Sequence, residues 1–210
     1  MRFESALRIA LTFYATLVSF GLRHILDISA DDPRTIGNYK WYFFFSALFL
    51  FSRFLLGAAN HLWVEHIWRN RDLEHEIPKP AYFFFGLDLG FITMFGCFAT
   101  LLAYLKTANE IFLVAIVFLL VVIGWGFLDQ ILRDYRKFKS ELDWGFWLKI
   151  NCFHLVFIAV AWALQLQDNL KPAAWIILMV ASAVGLVWDC AAQLQCLGAL
   201  PVEKPKSQTG

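Results

Sequence analysis

Long apolar stretches separated by short polar ones dominate the chain. A helix that crosses a membrane needs about 20 mostly apolar residues. Six stretches fit that description, at about 7–22, 41–64, 82–105, 111–132, 146–166 and 173–197, the first and fifth being the shortest. The breaks between them carry turn chemistry: Asp31-Asp32-Pro33 and Gly37-Asn38, then Pro78-Lys79-Pro80, then Asp168-Asn169 with Lys171-Pro172. None of the six stretches contains a proline. The pattern predicts an all-α fold, a six-helix transmembrane domain over residues 1–200, followed by a disordered polar tail from Pro201 to Gly210. The fourth helix is expected to run on through 133–138 as a short extension beyond the membrane. No internal repeat is convincing.

Composition agrees with a membrane chain. Hydrophobic residues make up 60% and charged residues only 17%, against about a quarter charged in a soluble domain. A formal net charge of +1 argues against a nucleic-acid partner, which normally demands a large basic excess. The distribution of charge says more than its sum. With the N-terminus inside, cytoplasmic segments hold Arg2, Arg8, Arg69, Arg71, Lys79, Arg133, Arg136, Lys137, Lys139, Lys149, Lys204 and Lys206, whereas the opposite side holds Arg23, Arg34, Lys40, Lys106 and Lys171. That excess follows the positive-inside rule and predicts both termini in the cytoplasm. Arg2 and Arg8 precede an apolar stretch with no Ala-x-Ala cleavage site before Arg23, so the stretch reads as a first membrane helix rather than a signal peptide. Small size and short loops point to a bacterial inner membrane, and a homo-oligomer in the bilayer is expected. Cys97, Cys152, Cys190 and Cys196 lie in apolar segments without CxxC spacing, as reduced, structural thiols do.

Residues three and four apart share a helix face. Thr12, Thr16 and Ser19 line up on the first helix, with Ser5 and Arg23 at its ends. Ser46, Arg53, Gly57 and Asn60 line up on the second, with His61 beside them. The third carries Gly86, Gly90, Thr93, Cys97 and Thr100, and the sixth Ser182, Gly185, Asp189 and Gln193. Lipid tails offer polar groups no partner, so these stripes are expected to face protein. For the first and third helices, plain helix packing suffices as an explanation.

Packing does not account for the charges. Arg53 sits near the middle of the second helix, where an ionised group costs at least ~2.5–3.5 kcal/mol unless it is partnered or wetted. At 1.5 Å rise per residue, Asp88, His154 and Asp189 each fall about 10 Å inside the cytoplasmic boundary, with His61 slightly shallower. Glu65 and Asp129 lie near the interface, where they could simply snorkel. Helices of alternating direction thus bring ionisable groups to one level. The expectation is a polar layer in the cytoplasmic third of the bundle, with Arg53 its deepest member and Asp88 or Asp189 its ion-pair partner. Asn151, beside His154 on the fifth helix, belongs to the same neighbourhood.

Three function classes fit such a layer. The first is a transporter or channel-like protein for protons or small cations, with Arg53, Asn60, His61, Asp88, His154 and Asp189 as ion-binding or relay residues. The second is a non-catalytic sensor, anchor or immunity-type subunit whose Arg133, Arg136, Lys137 and Lys139 dock a cytoplasmic protein partner; against it, basic loops also arise from topology alone. The third is an intramembrane metalloenzyme, in which His61 and Glu65 have helical ligand spacing but His61 and His66, five apart, diverge. Five histidines in all nearly exclude a histidine-rich di-iron site, and nothing orients His61 and His154 as a haem pair. No catalytic residue and no cofactor is expected. Trp41, Trp63, Trp68, Trp144, Trp147 and Trp175 fall at predicted membrane edges, where indoles anchor, while Trp125, Trp162 and Trp188 lie deeper.

Overall fold

The computed structural model describes residues 3–27, 37–63, 79–102, 104–105, 107–135 and 144–199. Among the described residues there is no strand. The long helices are α1 (Phe3–Leu26), α2 (Lys40–Leu62), α3 (Lys79–Leu102), α4 (Ala108–Tyr135), α5 (Trp144–Gln165) and α6 (Lys171–Ala199). Single 3-10 turns, Gly37–Tyr39 and Asp168–Leu170, lead into α2 and α6. Among the described residues, six spans of 19 to 25 residues are long and apolar enough to cross a bilayer, which marks the chain as an integral membrane protein. The polar tail and the loop residues Glu65, His66, Trp68, Arg136, Lys137 and Lys139 lie outside the described residues. Helix α4 does run past its apolar stretch to Tyr135, which places the backbone of Arg133 in its last turn.

Local chemistry explains where the helices start. Pro80 and Pro172 occupy the first turns of α3 and α6, where a missing N–H costs nothing. At α4 the sequence Thr107-Ala-Asn-Glu110 forms a reciprocal cap. The Thr107 N–H donates to Glu110 Oε2 at 3.0 Å and the Glu110 N–H donates to Thr107 Oγ1 at 3.3 Å.

Helix α2 packs on α1 and α6, α5 lies between α4 and α6, and α3 lies against α1. Two glycines permit the α1–α3 contact: a Cβ on Gly21 would strike the Ala99 carbonyl, and one on Gly96 would enter the Leu17 side chain. Gly126 of α4 makes room for the Trp147 ring of α5 in the same way. The centre is aromatic. Phe118 of α4 lies 4.8 Å from Phe54 and 5.1 Å from Phe95, centroid to centroid, so one ring joins α2, α3 and α4 by edge-on contacts. The buried Tyr14 donates its hydroxyl to the Phe51 carbonyl at 3.0 Å, which ties α1 to α2.

Several polar positions lie where the pattern did not put them. The stripe of Thr12, Thr16 and Ser19 on α1 and the seam of Gly86, Gly90, Thr93 and Cys97 on α3 are exposed and turn away from the bundle. The reason is local satisfaction. Thr12 donates to Arg8 O at 2.8 Å, Thr16 to Thr12 O at 2.9 Å and Thr93 to Leu89 O at 3.0 Å. A hydroxyl that bonds its own helix needs no neighbour. Trp175, near the start of α6, is 1% exposed, packed among Tyr39, Phe43 and Phe112. Trp41 and Trp63 remain exposed near helix ends. Among the deeper indoles, Trp125 stacks on Phe91 and Trp162 donates to Asn109 Oδ1 at 2.7 Å. Cys97, Cys152 and Cys190 are free thiols, and Cys97 and Cys152 lie exposed rather than packed as core hydrophobes.

The glycine contacts carry a direct test. Gly21→Ala is expected to destabilise the fold by about 1–3 kcal/mol, because it overpacks against backbone that cannot rotate away. Gly90→Ala, whose Cβ meets nothing within 4 Å, should stay within about 0.5 kcal/mol of the parent. Thermal unfolding in detergent compares the two, and equal effects would contradict the α1–α3 packing.

Candidate functional site

The polar faces of α2, α5 and α6 meet at Arg53. Its side chain is fully buried, and each guanidinium nitrogen has a partner. Nε donates to Asp189 Oδ2 on α6. Nη1 lies 2.8 Å from His154 Nδ1, and Nη2 donates to Asn151 Oδ1 at 3.0 Å, both on α5. The Phe54 ring lies beside the guanidinium, 5.4 Å from Cζ to its centroid.

Supporting bonds hold these partners in place. Asn151 donates its amide to Trp147 O at 2.9 Å, which leaves its carbonyl oxygen pointing at Arg53. The far ring nitrogen of His154, Nε2, lies 3.3 Å from Ser182 Oγ on α6. Asn151, His154 and Ser182 are all 0% exposed. Gly185, between Ser182 and Asp189, lets the α6 backbone approach. A Cβ there would sit 3.4 Å from His154 Nδ1 and 3.5 Å from Arg53 Nη1, so a methyl fits and a longer side chain would wedge the pair apart. Within α5 and α6 the spacing is helical: Asn151 and His154 are three apart, as are Ser182 and Gly185, with Asp189 one turn on.

A second, smaller group lies just over two turns along α2. His61 Nε2 is 3.3 Å from Asp88 Oδ2 on α3. Asp88 is buried and His61 is half-buried. The residues expected to form one layer therefore fall into two groups. Arg53, His154 and Asp189 come together between α2, α5 and α6, while His61 and Asp88 come together between α2 and α3. Of the two carboxylates proposed as the partner of Arg53, Asp189 takes that place. Asn60 is half-buried, and among the described residues its side chain joins neither group.

Asn151 and Ser182 complete the site, and neither stood among the predicted ion-binding residues. Their signal was positional, since each shares a helix face with a predicted member. Among the described residues, no three His, Cys, Asp or Glu side chains cluster as a metal would require. Glu65, paired with His61 in the metal reading, is outside them.

Fold and site together define a polytopic α-helical membrane protein with a buried ion pair at the heart of its bundle. No protein-family model, curated protein or solved structure matches the chain.

The site predicts a characteristic cycle of stabilities. Arg53→Met or Asp189→Leu alone strands the other charge in an apolar interior and should cost about 3–5 kcal/mol. The double substitution removes both charges and should recover most of that loss. Thermal unfolding in detergent of the four proteins gives the coupling energy; additive losses would mean that the two groups are not paired.

Proposed function

We propose that the protein is a transporter or channel-like bundle for protons or small cations, with its ionisable layer in the cytoplasmic third of the membrane. The observation that carries this reading is the Arg53–Asp189 pair. A permanent cation, the guanidinium, occupies a carboxylate that a proton or metal cation could take instead. Intramembrane carboxylates within reach of a basic side chain are what proton relays and cation sites are built from.

The division of partners between helices supports a coupling role. Arg53 is bound to α5 through His154 and Asn151, and to α6 through the carboxylate of Asp189. A proton or cation on Asp189 weakens the link to α6 and leaves the two links to α5 in place. Ion binding thus bears on one helix contact, between α2 and α6, which is among the most extensive in the fold. His61 and Asp88 form a second station about 12 Å further along α2, from the eight-residue rise between Arg53 and His61. In the proposed orientation that station lies nearer the cytoplasm, and both termini are cytoplasmic.

Ion flux into liposomes holding the purified protein tests the function. Proton or sodium flux is expected in wild type, falling about a hundredfold in Asp189→Asn, the low end of what a positioned proton-transfer group contributes. Asp88→Asn should also reduce it, without breaking the Arg53 pair. Absence of proton, sodium and potassium flux in the folded wild type would overturn the proposal, as would flux indifferent to both substitutions. Orientation has its own test. Tags at either terminus should resist an impermeant reagent applied to intact cells and react once the cells are opened.

A further inference from the structure

Arg53 settles the chemistry of the imidazole beside it. A guanidinium has only N–H donors and does not deprotonate in proteins. At 2.8 Å from Arg53 Nη1, His154 Nδ1 must therefore be the acceptor, and an acceptor ring nitrogen carries no hydrogen. A neutral imidazole has one ring hydrogen, which then resides on Nε2. That nitrogen faces Ser182 Oγ at 3.3 Å, in position to donate. Both nitrogens are committed, in opposite senses, to neighbours on two other helices.

Protonating Nδ1 would break its bond to Arg53 and set two cations side by side in an apolar interior, where like charges repel far more than in water. The groups facing the ring make that cost hard to offset. Arg53 comes from α2. Ser182, the Gly185 backbone and Asp189 come from α6, and the carboxylate of Asp189 is already engaged by Arg53. Asn151, on the same helix as His154, is neutral. Among the described residues, α1, α3 and α4 bring no charged group into bonding contact with His154.

We propose that His154 is a positioning residue and not a proton carrier. Fixed as the neutral Nε2–H tautomer, it receives the Arg53 guanidinium on Nδ1, holds α6 through Ser182, and leaves Asp189 as the titrating carboxylate of the node. Its part in transport rests on the function proposed above; its tautomer does not. The assignment removes His154 from the relay residues expected from sequence. It also explains why the ring can sit where no water reaches it: as a neutral donor and acceptor, it is fully satisfied.

Solid-state 15N NMR on wild-type protein in lipid, labelled at histidine and arginine, tests the tautomer without a substitution. One histidine should show an unprotonated Nδ1 correlated through space with a guanidinium nitrogen, and a protonated Nε2, unchanged from about pH 8 to about pH 5, the range in which ordinary histidines titrate. A protonated Nδ1, an imidazolium in that range, or no ring-to-guanidinium correlation would overturn the proposal. Flux supplies the second readout. In His154→Asn the side-chain oxygen replaces Nδ1 as acceptor, so the midpoint of the pH profile should stay at the wild-type value even if the rate falls. A displaced midpoint would make His154 a proton carrier. If wild type carries no flux, the transport reading fails by itself, and the NMR result still decides the tautomer.

Discussion

A guanidinium that cannot give up its proton, placed halfway along an apolar helix, dictates much of this architecture. Water and the bilayer core offer Arg53 nothing at that depth, so its acceptors must come from protein. They do so from both neighbouring helices: Asp189 from α6, and His154 with Asn151 from α5. Each acceptor fixes the rotation and axial position of its helix against α2. A one-residue slip of α6 would turn Asp189 by about 100° around the helix and leave the cation unpaired. Apolar packing tolerates such slips far better, because one aliphatic contact resembles another. The ionic node therefore supplies register on this side of the bundle. On the other side, the close backbone approach at Gly21 and Ala99 performs that role for α1 and α3.

These two ways of fixing register differ in what can change them. The contact at Gly21 is steric and insensitive to ions or pH. The rings around Phe118 are equally indifferent, and they connect α2 to α3 and α4. Among the described residues, and with His154 in the proposed neutral form, the tie between α2 and α6 is electrostatic at Asp189 alone. A bundle that must respond to an ion without coming apart needs this combination, with most contacts fixed and one conditional. The polar node and the aromatic cluster meet at α2, where Arg53 and Phe54 are adjacent in sequence. A displacement of the guanidinium would accordingly bear on the packed ring beside it.

The helices were legible in the sequence because apolar runs without proline leave few alternatives, and Arg53 because nothing else charged lies so deep in a span. Its partner was not legible. Asp88 and Asp189 fall at the same predicted depth, and only the azimuth of α3 against α6, which depends on tertiary packing, separates them. Asn151 and Ser182 were visible as polar residues on the right faces, but spacing alone cannot distinguish a hydrogen-bond partner from a spectator. The stripes on α1 and α3 misled for a physical reason. Thr12, Thr16 and Thr93 satisfy themselves on their own helices, so polarity there carried no information about neighbours. Nor could sequence tell Gly96, which faces Leu17, from Gly86 and Gly90, which face outward. The cap formed by Thr107 and Glu110, by contrast, is a four-residue signature available to direct reading.

Charge balance constrains how the proposed site would work. With His154 neutral, the node contains one positive and one negative group and carries no net charge. A proton on Asp189 removes the negative charge, and a bound cation offsets it; in either case one positive charge is left in excess. The loaded state is thus less favourable than the resting one by the cost of a partly uncompensated charge inside the membrane-spanning bundle. That penalty suits turnover. A site that conducts must bind strongly enough to admit an ion and weakly enough to release it, and an internal cation that competes for the same carboxylate supplies the weakening. Arg53 then both occupies the site at rest and expels what displaces it, provided its guanidinium stays within reach of Asp189. The neutral bonds to His154 and Asn151 keep it there: they hold the arginine when its ionic partner is taken, so the empty state can re-form.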